Sequence, residues 1–336
     1  MKKIISIALA LCLLAALAGC GGAASSTPAQ DPAASTPAAS TPAEGGSYTV
    51  GICQLVQHDA LDAATQGFKD ALKEALGDAV TFEEGNASGD ASTCTTIVNG
   101  FVSEGVDLIL ANATAPLQAA AAATSDIPVL GTSVTDYATA LEISGWTGTV
   151  GGNISGTSDL APLDQQAQML HDMFPDAKKV GLIYCSGEPN SVYQIEVVEK
   201  ALQGLGYTCE RFAFTDSNDI GSVVQSACDA SDVLYVPTDN TAANNTEAIA
   251  NVVIPAKVPV IAGEEGICGG CGVATLSISY YDIGYTTGQM AAKILTGEAD
   301  ISTMPIEYAP QVTKKYNADI CQQLGITPPE GYEAIG

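Results

Sequence analysis

The sequence predicts an α/β protein built from two similar, doubly wound parallel-sheet domains. Three observations carry that expectation. A short apolar strand that ends in a polar turn and leads into a helix occurs twice: "VGICQLVQHDALDAATQGFKDAL" (Val50–Leu72) aligns without a gap on "VGLIYCSGEPNSVYQIEVVEKAL" (Val180–Leu202). The two halves then continue in step, "VDLILANAT" (106–114) with "SDVLYVPTD" (231–239) and "DIPVLGTS" (126–133) with "KVPVIAGE" (257–264). Helical stretches at 92–104 and 219–229 separate these strands, and strand–helix alternation of this kind means a parallel sheet covered on both faces.

Taken in order, residues 1–20, "MKKIISIALALCLLAALAGC", join a lysine pair to an apolar run that ends in Gly19-Cys20. This is the pattern of an export signal. The apolar run is short beside the ~20 residues of a spanning helix; a simple transmembrane anchor is the alternative. "LAGC" resembles the bacterial lipobox, in which the chain is cut before the cysteine and Cys20 is acylated. Residues 21–46 repeat "ASTPA" and hold no large apolar side chain. They cannot bury enough surface to offset the entropy of ordering, so they read as a semi-extended Pro/Ala/Ser/Thr tether. The remaining ~290 residues exceed what one core usually spans, so two domains are expected. Each of the paired strands leads through its polar turn into an amphipathic helix, the second carrying the stripe Val192, Ile195, Val198, Leu202 and Leu205, apolar at helical spacing.

The chain has 12 basic and 38 acidic residues, a net charge of −26, and loses Lys2 and Lys3 with the signal. Such a surface repels phosphate backbones and anionic lipid, which excludes nucleic acid and a basic membrane-binding face. Of the ten cysteines, Cys53, Cys94, Cys185, Cys209, Cys228, Cys268, Cys271 and Cys321 follow the lipobox. Several sit in apolar strand or helix contexts, where cysteine behaves as a small core residue. "CGGC" (268–271) has metal or redox spacing, but no second pair or nearby histidine completes a zinc site. A local disulfide or plain thiols remain as readings. "GEEGICGGCG" lacks the strand-then-helix setting of a dinucleotide site. Neither metal nor cofactor is expected.

In an open parallel sheet, ligands sit outside the carboxyl ends of the strands, where free N–H groups of helix starts also point. Two domains facing each other across those edges would line one cleft with both sets of turns. The single arginine, Arg211 in "CERFAF", reads as part of a strand away from those turns, so a bidentate arginine clamp on a ligand carboxylate is not on offer. Hydroxyls and helix amides must serve. In the first half, Gln54, His58, Asn112, Thr114, Thr132, Ser133 and Thr135 are the candidates. In the second, Thr157 and Ser158 lead with Asp159 into a helix striped by Leu160, Leu163, Ala167, Leu170 and Phe174, and Asn190 and Ser191 open the next. A ligand ammonium needs an acid, and Asp239 in "VPTDN", flanked by Thr238 and Asn240, is the first choice, with Glu188 and Glu264 behind it. Each has an ordinary alternative as an N-cap, a turn hydrogen bond or a solvated charge. His171 reads as solvated and Trp146 as packing.

With these segments in hand, the sequence resembles the solute-binding lipoproteins of bacterial ABC importers with the type I periplasmic-binding fold. The subgroup it is most similar to is linked to tryptophan and other aromatic amino acids. "VGICQLVQHDALDAATQGF", "LANATAPLQAA", "GTSVTDYATA", "GGNISGTSD", "GLIYCSGEPNS", "VPTDN" and "SISYYDIGYTTGQMAAKILTG" carry the resemblance over nearly the whole chain. One departure is that the family's His-Pro-Ala-Leu-Asp is here His58-Asp59-Ala60-Leu61-Asp62, which frees an N–H and adds a charge. The resemblance implies a hinge of three crossings, near Gly151–Asn153, Ala274–Leu276 and Glu307–Ala309. Domain I would then be 47–152 plus 275–306, and domain II 153–274 plus 307–336. It also implies a monomer held to the outer face of the membrane by lipid, handing a small molecule to an ABC permease and its ATPase.

Two other functions stay open. A receptor subunit of the same fold could sense the solute and signal instead. A secreted hydrolase could draw a carboxylate pair from Glu84, Glu188, Glu264 and Glu265, but no Gly-x-Ser-x-Gly elbow occurs and neither histidine stands beside a nucleophile at a strand end. The sequence is therefore read as a binder, not an enzyme.

Overall fold

The computed structural model describes residues 47–335; the export signal, Cys20 and the tether lie outside the described residues. The chain begins with β1 (Tyr48–Gln54), α1 (Asp59–Leu76), β2 (Val80–Asn86), α2 (Ala91–Glu104), β3 (Leu108–Asn112) and α3 (Thr114–Ala123). β4 (Val129–Val134), the short α4 (Tyr137–Ala140) and β5 (Ile154–Ser158) complete its first half. Then come α5 (Leu163–Met173), β6 (Lys179–Cys185), α6 (Pro189–Gly204), β7 (Thr208–Phe214), α7 (Ile220–Ala230) and β8 (Val233–Val236). α8 (Asn240–Ala243), α9 (Thr246–Ala256), β9 (Val260–Ala262), α10 (Glu265–Cys271) and β10 (Ala274–Ile278) follow. The last stretch holds α11 (Tyr280–Leu295), β11 (Glu307–Tyr308), β12 (Val312–Tyr316), α12 (Ala318–Leu324) and β13 (Glu333–Ala334).

Two sheets result, ordered β2-β1-β3-β4-β5-β11 and β7-β6-β8-β9-β10-β12-β13. The first five strands of each follow the same 2-1-3-4-5 order, so the repeat seen in the sequence is a repeat of topology. That order has its switch point beside the first strand, where doubly wound folds bind ligands. β12 runs antiparallel to its neighbour β10, and β13 runs parallel to β12.

Period-two alternation places the cores. Leu108 and Leu110 of β3 pack with Phe68, Leu72 and Met290 on one face. Ile109 and Ala111 pack with Val98, Phe101 and Leu117 on the other. The second sheet repeats this, Leu182 meeting Leu170, Ile195 and Val198 on one face and Ile183 meeting Val224 and Ile249 on the other. Each fully buried side chain of this size contributes roughly 1.5–3 kcal/mol. α1 and α11 share a face of the first sheet and approach closely because their contact is glycine. A methyl on Gly284 would lie 2.0 Å from the Ala64 carbonyl oxygen, and one on Gly67 2.2 Å from that of Tyr281.

The first two lobe changes fall later than the sequence placed them, and the third falls within the expected Glu307–Ala309. β5 pairs with β4 and β11 inside the first sheet, so the first crossing follows Ser158 rather than Gly151–Asn153. β10 pairs with β9 in the second sheet, which moves the second crossing from Ala274–Leu276 to Ser279. β11 still belongs to the first sheet, so the third crossing follows Tyr308. For the same reason Thr157 and Ser158 are strand residues, not the start of a helix. The helix begins only at Leu163, after Pro162, because a proline disfavours helical backbone in the residue before it.

Candidate functional site

The carboxyl ends of the two sheets meet around a narrow space lined mainly by polar residues, about 10 Å3 in volume, room for roughly one water. Each lining group sits where the topology puts it. His58, Ala60 and Leu61 follow β1, Ser133 ends β4, Asn190 opens α6, Thr238, Asp239 and Asn240 follow β8, and Glu264 follows β9. Asp159 and Tyr280 stand on the first and second crossings. None of the lining residues is a lysine or arginine. An open groove of about 790 Å3 that shares His58, Ala60, Glu264 and Tyr280 extends past Gln57 and the Lys315–Glu265 ion pair, and it falls in the ~300–1,000 Å3 range of ligand clefts.

All three acids expected to hold an ammonium are already engaged. Asp239 caps α8, accepting from the Ala242 N–H at 2.8 Å, and also takes the Cys185 N–H at 2.6 Å. Glu264 caps α10 through the N–H groups of Gly266 and Ile267. Glu188 lies outside the cavity lining and accepts from the N–H and side chain of both Asn240 and Thr241, at 2.7–3.0 Å. Asp159 differs. Its Oδ2 accepts from the Tyr280 hydroxyl at 2.9 Å, whereas its buried Oδ1 has no partner. Ser133 Oγ, also in the lining, is likewise unpartnered, and Ser133 is held at φ 55°. A left-handed backbone at a non-glycine residue costs energy and clusters at functional sites.

Burial favours the protonated form of Asp239, Glu264 and Asp159. The carboxyls of Asp239 and Glu264 are each raised to about 7, desolvation being the main cause, with Glu188 adding to the rise for Asp239. Asp159 is raised by burial too, against the hydrogen bond from Tyr280 and the side chain of Thr135. His58 is lowered by burial, while Asn240 and the carboxylates of Glu188, Asp62 and Asp59 oppose the change.

Seven sequence candidates therefore line the cavity: His58, Ser133, Asn190, Thr238, Asp239, Asn240 and Glu264. The others are outside its lining, and most have local work. Gln54 and Asn112 tie α1 to the sheet. The Gln54 amide donates to Val56 O and Asp62 and accepts from Thr65 Oγ1, and the Asn112 amide donates to Leu61 O and Thr65. Thr132 and Thr157 form a buried hydroxyl ladder with Thr287 of α11. Ser158 Oγ donates to Thr135 O, Thr114 starts α3, and Ser191 is fully buried. Asp159 and Tyr280 were missed as site residues, because Asp159 reads as a helix-start acid and Tyr280 as one aromatic among several near the mouth. The open start of α1 was missed as well. His58 stands at its N-cap without a side-chain cap bond, leaving the 18-residue helix uncapped beside the cavity. Outside the site, Arg211 pairs with Glu199 in mid-strand, His171 meets the Tyr207 hydroxyl at 3.0 Å rather than solvent alone, and Cys268 and Cys271 are free thiols in α10.

A paired-lobe α/β fold closing over a polar cavity defines a cleft-type solute-binding protein. The family model for ABC transporter substrate binding proteins matches residues 49–333, and the chain belongs to that family. It is 34% identical over 278 residues to a tyrosine-binding protein of Clostridioides difficile (strain R20291), covering 82% of this chain and 80% of that one. Among solved structures it is similar to an ABC domain in complex with L-Trp from Streptococcus pneumoniae, at 31% identity, TM-score 0.82, and coverage of 86% of this chain and 100% of that one. The ligand-free, open structure of a substrate binding protein with adhesive properties from Clostridium difficile is 35% identical, covering 86% and 99%, with a TM-score of 0.66. At equal coverage of this chain, its structure follows the L-Trp complex more closely than the open one. Membership of a substrate-binding family sets the hydrolase reading aside.

Proposed function

We propose that this protein captures an aromatic amino acid between its lobes and delivers it to an ABC importer from the outer face of the membrane. The observation that carries the reading is the pairing, in one small cavity without basic side chains, of an unpartnered buried carboxylate oxygen on Asp159 with an uncapped helix start at Ala60–Leu61. An α-amino acid needs both. Its ammonium would meet Asp159 Oδ1, and its carboxylate the α1 amides and Ser133 Oγ, since helix N-termini favour anions. His58, Asn190, Thr238 and Asn240 would orient the rest of the molecule. The named ligands of the relatives, tyrosine and L-Trp, support the aromatic class. The lipobox Cys20, acylated, and the 21–46 tether would hold the body to the membrane as a monomer within reach of a permease and its ATPase.

A thermal-shift screen of the protein against amino acids, nucleosides and sugars tests this. An aromatic amino acid at 100 times its dissociation constant stabilises the fold by ~2.7 kcal/mol. A screen in which only sugars or nucleosides shift the melting point discards the ligand class. For the anchor, Cys20→Ala leaves the protein in the medium rather than the membrane fraction; retention on the membrane rules out the lipid.

A further inference from the structure

We infer that Tyr280 is a positioning residue for ligand capture: its hydroxyl keeps Asp159 ionised and turns the free carboxylate oxygen of Asp159 toward the ligand ammonium. The inference rests on the reading of Asp159 just given and adds a second residue to it. Asp159 and Tyr280 are 121 residues apart in sequence, yet their side chains meet at 2.9 Å because each lies on a crossing between the lobes. Both are almost fully buried, at 4% and 6% exposure, and the lining holds no lysine or arginine to offset a buried negative charge. A carboxylate in such a place stays charged only where hydrogen-bond donors favour the ionised form.

The donors available are few. From the end of β4 comes the Thr135 side chain. From α4, Tyr137 faces Asp159 but spends its hydroxyl on the Thr157 carbonyl, at 3.1 Å. His58 from the start of α1, Asp239 after β8 and Glu264 after β9 share the cavity, and the two acids add further negative charge. Tyr280 is therefore the principal donor, and it is firmly placed. Its ring packs against Ala60, Ala64, Ile278 and Ile283, at the first position of a helix capped by Ser279, whose Oγ accepts from the Asp282 N–H. With Oδ2 occupied by that hydroxyl, Oδ1 is the carboxylate oxygen left without a partner.

Isothermal titration of the wild type, Tyr280→Phe and Asp159→Asn with L-tryptophan and L-tyrosine from pH 4.5 to 8 tests the assignment. The wild type loses affinity toward acid as Asp159 takes up a proton. Tyr280→Phe keeps the ring but removes the donor, so affinity at pH 6 falls ~10-fold or more and the acid limb moves up by about 1–2 pH units. Asp159→Asn abolishes the limb and nearly all binding. The carboxyl infrared band of the ligand-free protein, assigned by difference from Asp159→Asn, reads the same protonation directly. Replacing tyrosine by fluorotyrosine, a stronger donor, moves that band's midpoint toward acid, and this arm decides the matter if Tyr280→Phe does not fold. Superimposed pH profiles, or a loss uniform across pH with an unmoved midpoint, overturn the role of Tyr280 while leaving amino-acid capture intact. No binding of any amino acid by the wild type overturns both.

Discussion

His58 Nε2 and Asn240 Oδ1 lie 3.3 Å apart across the cleft, joining the start of α1 in one lobe to the start of α8 in the other. Asn240 is itself fixed by the hydrogen bond that its side-chain amide donates to the Glu188 carboxylate, at 2.7 Å. The contact is thus held firmly on one side, and parting the lobes would break it. A contact made to both lobes at once favours the closed state.

His58→Ala should therefore act on release. A neutral hydrogen bond of ~0.5–1.5 kcal/mol corresponds to roughly 2–10-fold faster ligand dissociation, with association and ligand-free melting little changed. Stopped-flow release of a fluorescent aromatic ligand reads this, and an unaltered off-rate would show that the contact does not hold the cleft shut.

Glu188 has a different expected outcome. It satisfies the backbone N–H groups of both Asn240 and Thr241, so Glu188→Ala leaves those helix-start donors unmet and frees Asn240 from its anchor. The loss of stability should be about 1–3 kcal/mol, measured by urea unfolding at neutral pH. A change under 0.5 kcal/mol, within the range of an ordinary surface substitution, would mean that water replaces the carboxylate without cost.

The α1–α11 contact makes a packing prediction. Gly284→Ala places a methyl 2.0 Å from a backbone oxygen, which only a shift of one helix relieves, so destabilisation of roughly 1–3 kcal/mol is expected. Gly221, a helical glycine with nothing within 4 Å of an added methyl, is the control. Gly221→Ala should be neutral or slightly stabilising, since alanine is the better helix former. Equal melting of the two variants would refute the close approach.

The cavity acids govern how stability varies with pH. Asp239 and Glu264 titrate near 7 in the folded chain but near ~4 when unfolded. Between those values the folded state holds more protons, so the stabilisation is full below the unfolded values and fades as pH rises toward 8. Differential scanning fluorimetry of the ligand-free protein should give a higher Tm at pH 5.5 than at pH 8, and Asp239→Asn with Glu264→Gln should flatten that slope. A Tm that rises across this range would reverse the assignment.

The repeated strand–turn–helix units were legible in the chain itself, and with them both sheets, the helix-covered faces and the convergence of polar turns on one cleft. These follow from local periodicity, because alternation along β3 or the stripe on α6 determines which side of each element seeks the core. The resemblance to substrate-binding proteins rested on the same turns. What only tertiary structure decided was which polar groups face the cavity. Asp239 and Glu264 are claimed by amides of the helices they cap and Glu188 by the first amides of α8, whereas Asp159 keeps an oxygen free. "ISGTS" became a strand because β4 and β11 flank it, and β11 comes from the far end of the chain. A carboxylate's freedom depends on partners distant in sequence, and no short window of residues contains them.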